Sequence, residues 1–263
     1  MLETVQIPIF VISLESATER RGYLLKHLKK LGVDYLLLNG TTPQELPIEK
    51  RNSAIAVWDS HIRALRHFLE TDSEFSLILE DDVDLESNIK VKEKVFGALP
   101  ELCKSIPTGY QILQLGYVPF RKRNLLFVLL RELYFLVYKS YQFDGRNLKS
   151  LKKDLGTQKF NQCNLRLREI TGWNSLVVDG FGAGTQSYIC SRKAAKFLIQ
   201  IYEEKRDWDS NSRFSMDTLI ENMNKRRETP AEIKSLRFSK QIFEQRDIPT
   251  VNSYFPQNLN KTI

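Results

Sequence analysis

The sequence contains only three cysteines, Cys103, Cys163 and Cys190, and they share no metal-ligand spacing. An odd, scattered set fits free thiols in a reducing compartment better than a disulfide framework. No stretch reaches the ~20 uninterrupted apolar residues that a membrane-spanning helix needs. The N-terminal MLETVQIPIFVISLE lacks the basic n-region of a secretory signal and reads as a first strand, so the chain is expected in the cytosol. No repeat recurs at a fixed period and no segment is compositionally biased, which sets aside solenoids and disordered tracts.

What is present is a folded composition, 42% hydrophobic and 27% charged over 263 residues, long enough to bury a sizeable core. A single domain over 1–263 is expected, interrupted by a basic helical insertion at 121–165. Residues 121–160 carry ten basic and three acidic side chains, which accounts for the whole formal net charge of +7 and leaves the rest neutral. Within RKRNLLFVLLRELYFLVYKSY, Leu126, Leu130, Leu133 and Val137 share one helical stripe, and Phe127, Tyr134, Tyr138 and Tyr141 form another beside it. Such a helix suits the surface of an anionic membrane, such as the inner face of the cytoplasmic membrane. It equally suits core packing with a solvated basic flank. Basic stretches with aromatics also grip single-stranded nucleic acid, but no recognition motif accompanies this one.

The remaining pattern alternates. IPIFVISL at 7–14 is a buried strand, followed by a helix opened by a Ser16–Glu19 capping box and stopped by Gly32. Val33–Leu38 is a second strand, and Ile55, Trp58, Ile62, Leu65 and Leu69 mark a helix from Ser53 to Glu70. Phe75–Leu79, Ile112–Leu115 and Thr185–Cys190 follow as strands, then a helix from Ser191 through Tyr202 and another near Ser215. This order implies an α/β fold with a mostly parallel central sheet covered on both faces. Ligands of such sheets bind beyond the carboxyl ends of the strands.

At that edge stands LILEDDVDLE, residues 77–86, with five carboxylates in seven positions: Glu80, Asp81, Asp82, Asp84 and Glu86. Strand alternation puts Glu80 and Asp82 on one side and Asp81 on the other. Two carboxylates about 5 Å apart repel by roughly 3 kcal/mol at an effective dielectric of 20. Water, a partner cation or a bound metal relieves that repulsion. All-oxygen ligation selects Mg²⁺ or Mn²⁺, completed by substrate phosphates. A solvated acidic turn is the plainer alternative.

Six pieces of the chain resemble glycosyltransferase family 25, the bacterial lipooligosaccharide and lipopolysaccharide galactosyltransferases. They are FVISLESATERR (10–21), AVWDSHIRALRHFL (56–69), LILEDDV (77–83), ILQLG (112–116), GTQSYICSRKAAKFLI (184–199) and SMDTLI (215–220), in family order. The resemblance implies a GT-A-like fold, a UDP-sugar donor, an inverting transfer and a glycolipid or oligosaccharide acceptor. By the same analogy Asp82 is the direct metal ligand, with Glu80 and Asp81 supporting the metal or the ribose. Ser13 and Leu14 close the first strand against the nucleotide, and Arg20 or Arg21 brings positive charge to the donor unless both are surface residues. Asp217 is the candidate base, or else only a helix cap. His61 touches the donor, orders the acidic loop, or is simply buried.

Gly180-Phe-Gly182-Ala-Gly184 precedes a strand instead of joining a strand to a helix, so it is not a dinucleotide fingerprint. It reads as an approach loop, with Gly184, Thr185, Gln186 and Tyr188 on the acceptor side. Two competing readings stand beside galactosyl transfer. One is a catalytically silent glycan- or lipid-binding protein on a transferase fold. The other is a haloacid-dehalogenase-like phosphatase using Asp82-Val-Asp84, against which Leu85 and the two preceding acids count.

Overall fold

The computed structural model describes residues 6–116, 152–153, 155–173, 177–179, 184–204, 216, 234–238 and 241–246. Seven strands join in one sheet: β1 (Ile9–Ser13), β2 (Leu36–Asn39), β3 (Phe75–Glu80), β4 (Tyr110–Gly116), β5 (Val177–Asp179), β6 (Ser187–Ser191) and β7 (Lys234–Phe238), in the order β2-β1-β3-β6-β4-β7-β5. Strand pairing makes β1, β2, β3, β4 and β7 run the same way, with β5 and β6 reversed. The sheet is therefore mostly parallel, as expected, but β6 interrupts the parallel run between β3 and β4.

Alternate residues of β1, β3, β4 and β6 enter two separate cores. On one face Ile9, Val11, Leu77, Leu79, Leu113 and Leu236 meet α1 (Thr18–Lys30), α3 (Ile89–Gly97), α4 (Leu99–Lys104) and α5 (Thr157–Thr171). On the other, Phe10, Ile12, Ile78, Ile112, Tyr188 and Cys190 meet α2 (Ser53–Leu69) and α6 (Arg192–Glu204). The stripe expected on α2 is the buried one: Ile55, Trp58, Ile62 and Leu65 have no exposed surface. Burial of a side chain of this size contributes roughly 1.5–3 kcal/mol.

Several local expectations shift. The first helix starts at Thr18 with Ala17 at its cap and no side-chain cap bond, so the Ser16–Glu19 box does not form. A turn closed by Ala17 N–H to Leu14 C=O (3.0 Å) carries Ser16 out of the capping position. Gly32 ends that helix at φ +65°, the left-handed region that glycine enters without strain. The second strand begins at Leu36 rather than Val33. The amphipathic stripes of 126–141 lie outside the described residues, whereas the end of the expected insertion forms the first half of α5. All three cysteines are free thiols. Burial pushes Cys103 up to about 12 and Cys163 up to about 11, leaving both as unreactive thiols at neutral pH.

Candidate active site

The carboxyl ends of β1, β2 and β3 converge on one edge. Parallel register sets Ile12 opposite Glu80 and Ser13 opposite Asn39. The reversed direction of β6 then has a specific effect. Because β6 runs against β3, its entry rather than its exit lies at this edge, with Leu79 opposite Ser187 and Glu80 N–H donating to Gln186 C=O at 2.8 Å. Thr185 and Gln186 are thus delivered to the acidic cluster from more than a hundred residues away.

Glu80 is the last residue of β3, and the chain turns immediately after it. Strand alternation therefore does not extend to Asp82, and the three acids take three sets of partners. Glu80 Oε1 accepts from Thr185 Oγ1 at 2.5 Å and lies 3.2 Å from His61 Nε2. His61 has no exposed surface, and its Nδ1 is 3.1 Å from the Tyr188 hydroxyl. Burial pushes the Glu80 carboxyl up, but His61, Thr185 and the Arg20 charge outweigh it and hold the group below its ordinary value. Glu80 is accordingly a carboxylate that only accepts, so Nε2 of His61 carries a proton, and with the imidazole neutral Nδ1 accepts from the Tyr188 hydroxyl.

Asp81 is committed on both oxygens. Ser13 Oγ donates to Oδ2 at 2.6 Å, and Arg20 Nε approaches Oδ1 at 3.4 Å. Burial raises its pKa despite those partners. Arg21, one position on, donates to Ser13 C=O and Asn39 Oδ1, each at 2.9 Å. The first turn of α1 thus turns two guanidinium groups back onto the end of β1. Leu14 is half-buried at the same edge, its carbonyl closing the turn into α1.

Asp82 differs from its neighbours. Its Oδ2 accepts from Gln245 Nε2 at 2.6 Å, while its Oδ1 is buried and has no hydrogen-bond partner among the described residues. Burial first, then the Glu80 charge, push its carboxyl up to about 7, with Gln245 opposing. A buried carboxyl of this kind is one that a cation would return to its ionised form.

The remaining acids serve the turn. Asp84 Oδ1 accepts from the Tyr23 hydroxyl (3.0 Å) and from the backbone N–H of Glu86 (2.8 Å) and Ser87 (3.2 Å). Glu86 pairs with His27 at 3.0 Å. A carboxylate so engaged is not positioned as the second acid of a phosphatase. Among the described residues no three His, Cys, Asp or Glu side chains form a closed metal cage.

The structure therefore brings together Ser13, Leu14, Arg20, Arg21, His61, Glu80, Asp81, Asp82, Gly184, Thr185 and Gln186. Tyr188 is fully buried beneath them, which gives it a supporting position and no acceptor-facing surface. Asp217 lies outside the described residues. Gln245 had no signal in the sequence, for it sits far from every motif and an amide announces no chemistry by itself.

Residues 6–220 match the family model described as glycosyltransferase family 25 (LPS biosynthesis protein). No curated protein matches the chain. Among solved structures it is similar to the crystal structure of a glycosyltransferase involved in the glycosylation of the major capsid of PBCV-1. That likeness has 11% identity and a TM-score of 0.38, covering 79% of this chain and 71% of that one, and no residue role rests on it.

Proposed function

Because the chain belongs to glycosyltransferase family 25, and its chemistry is therefore glycosyl transfer, we propose that it moves galactose from UDP-galactose, with inversion, onto a lipooligosaccharide or lipopolysaccharide acceptor. The observation that carries the donor side is the buried Oδ1 of Asp82 at the carboxyl edge, which has no hydrogen-bond partner among the described residues. The acidic residues there fit a hard divalent cation, since every donor is oxygen and one carboxylate oxygen has no partner among the described residues. Asp82, with Glu80 beside it, would hold Mn²⁺ or Mg²⁺, ions that take one or two carboxylates and complete their shell with waters and phosphates. When bound, the ion supplies charge stabilisation for the leaving diphosphate.

The chain's own residues have distinct tasks in this reading. Ser13 and Leu14 close the end of β1 against the nucleotide in GT-A-like fashion, and Arg20 and Arg21 add positive charge there. Asp81, tied to Ser13 and Arg20, fixes the turn that presents Asp82. His61 and Tyr188 hold Glu80 from below. Gly184, Thr185 and Gln186 face the acceptor side. Asp217 takes the proton of the acceptor hydroxyl as its oxygen bonds to the anomeric carbon and the bond to the diphosphate breaks. The basic segment 121–160 holds the enzyme at an anionic membrane face, where lipid-linked acceptors lie.

The test is incubation of the full chain with UDP-, GDP- and CMP-sugars, with and without Mn²⁺. Consumption of UDP-galactose that needs Mn²⁺ and is lost in Asp82→Ala is the expected result. Activity indifferent to EDTA and to that substitution removes the metal assignment, and preference for another donor removes galactose.

A further inference from the structure

Residues 241–246, downstream of β7, form a strap that is tied to the end of β4 and crosses the acidic loop. Ile242 and Phe243 both donate their N–H groups to Leu115 C=O, at 2.8 and 3.1 Å. Phe243 packs edge-on against Phe96, with ring centroids 5.6 Å apart. The strap then pairs with the loop: Val83 bridges Gln245 in antiparallel fashion, Asp84 N–H donates to Glu244 C=O (2.8 Å), and Arg246 N–H donates to Asp82 C=O (2.7 Å). Arg246 stacks its guanidinium 3.7 Å from the centroid of the Tyr23 ring. Lys92, fully buried, reaches Ser87 at the far end of the loop through its carbonyl and its Oγ (3.0 Å). The Gln245 backbone is therefore fixed relative to Asp82 on both sides of the bridge.

On that backbone, one side-chain bond stands out. Gln245 Nε2 donates to Asp82 Oδ2 at 2.6 Å, across 163 residues of sequence. A carboxylate turns readily about its terminal torsion, whose preferences are broad. A single short hydrogen bond to one oxygen stops that rotation and decides which oxygen is left over. The donor's neutrality matters as well. A lysine or arginine at this position would also hold Oδ2, but its charge would cancel the carboxylate and repel a cation. An amide fixes the group and leaves its negative charge intact.

We propose that Gln245 is a positioning residue for Asp82, taking Oδ2 out of play and presenting Oδ1 to the ligand-binding edge. Gln245 lies beyond the residues 6–220 that match the family model, so nothing in that match assigns it. The inference rests on the reading of Asp82 as the cation- and donor-binding carboxylate.

The test is titration of the full chain with Mn²⁺ in the presence of UDP, with free Mn²⁺ counted by electron paramagnetic resonance. Gln245→Met keeps the length of the side chain and removes the donor. It is expected to weaken Mn²⁺ binding about tenfold, equivalent to about 1.4 kcal/mol, with little change in melting temperature. Gln245→Lys is expected to abolish Mn²⁺ binding although it still reaches Asp82. Ser87→Ala, which removes the hydrogen bond from Ser87 Oγ to Glu244 Oε2 of the strap (3.5 Å) without touching Asp82, is expected to bind Mn²⁺ as the parent chain does. Binding by Gln245→Met within twofold of the parent, while Asp82→Asn loses it, overturns the role of Gln245 and leaves the proposed function standing. Equal losses of Mn²⁺ binding and of melting temperature in Gln245→Met and Ser87→Ala also overturn it, since the strap would then act only as structure. Parent-like Mn²⁺ binding by Asp82→Asn removes the reading of Asp82 itself, and the inference with it.

Discussion

Replacing Tyr188 by phenylalanine removes one oxygen from a side chain with no exposed surface. That oxygen lies 3.1 Å from Nδ1 of an equally buried His61. Burial raises the Tyr188 pKa well above its ordinary value, so the hydroxyl is neutral and available as a donor. With Glu80 ionised and accepting from His61 Nε2–H, the chain of hydrogen bonds runs in one direction, from Tyr188 through His61 to Glu80. In Tyr188→Phe, Nδ1 keeps no hydrogen-bond donor among the described residues. A buried polar group stripped of its partner costs about 1–3 kcal/mol. In a chain of this size each kcal/mol moves the melting midpoint by about 2–4 °C, so a fall of roughly 2–12 °C is expected by circular dichroism. A second effect follows at acid pH. Glu80's folded pKa is depressed, so its contribution to stability is full above its ordinary value of 4.5 and is lost as pH falls through the lower folded value. Weakening His61's hold moves the folded value upward, and the variant should lose stability at a higher pH than the parent. A variant melting within 1 °C of the parent, with an unchanged acid limb, would refute the one-way chain.

Three further outcomes are expected. Gly116→Ala places a Cβ 2.4 Å from Phe243 O and 2.6 Å from Ser187 Oγ. Such overpacking costs about 1–3 kcal/mol, and an unshifted thermal melt would contradict it. Asp82 is a carboxyl whose folded pKa is raised to about 7 from an ordinary 3.8, so it binds more protons folded than unfolded, and stability should fall as pH rises between those values. Metal-free protein should therefore melt lower at pH 8 than at pH 5, and Asp82→Asn should flatten that difference; an equal difference in the variant would assign it elsewhere. If 121–160 contacts membranes, the chain should co-sediment with anionic liposomes at low salt and release as salt rises; absence of binding at low salt rules that contact out.

Elements whose signal is local were legible in the sequence. Phe75–Leu79 and the stripe through Ile55, Trp58, Ile62 and Leu65 fix their own periodicity. The direction of β6 was not legible, because parallel and antiparallel neighbours select the same apolar, β-branched residues in a buried strand. The edge strand β5 and its neighbour β7 were missed as well, and so were α3 and α4, where Gly97 and Pro100 break up the helical rhythm. At the site, Glu80, Asp81 and Asp82 stood out because they are consecutive. Their separation onto Thr185 and His61, onto Ser13 and Arg20, and onto Gln245 is tertiary. No spacing along the chain encodes it.

The pairing of β4 with β6 has one more consequence. Gly116 ends β4 and lies opposite Ser187, the first residue of β6. The chain leaves β4 at Gly116 and, after supplying α5 and the edge strand β5, re-enters the sheet beside the same residue at Ser187. The two ends of this connection are already held together by the strands. Lengthening an unstructured part of it costs only about 0.6 kcal/mol per doubling, and both ends open beside Thr185 and Gln186. The architecture therefore holds Glu80 at the end of a fixed strand and Asp81 and Asp82 in the turn after it, while the connection between Gly116 and Ser187 can change in length at little cost.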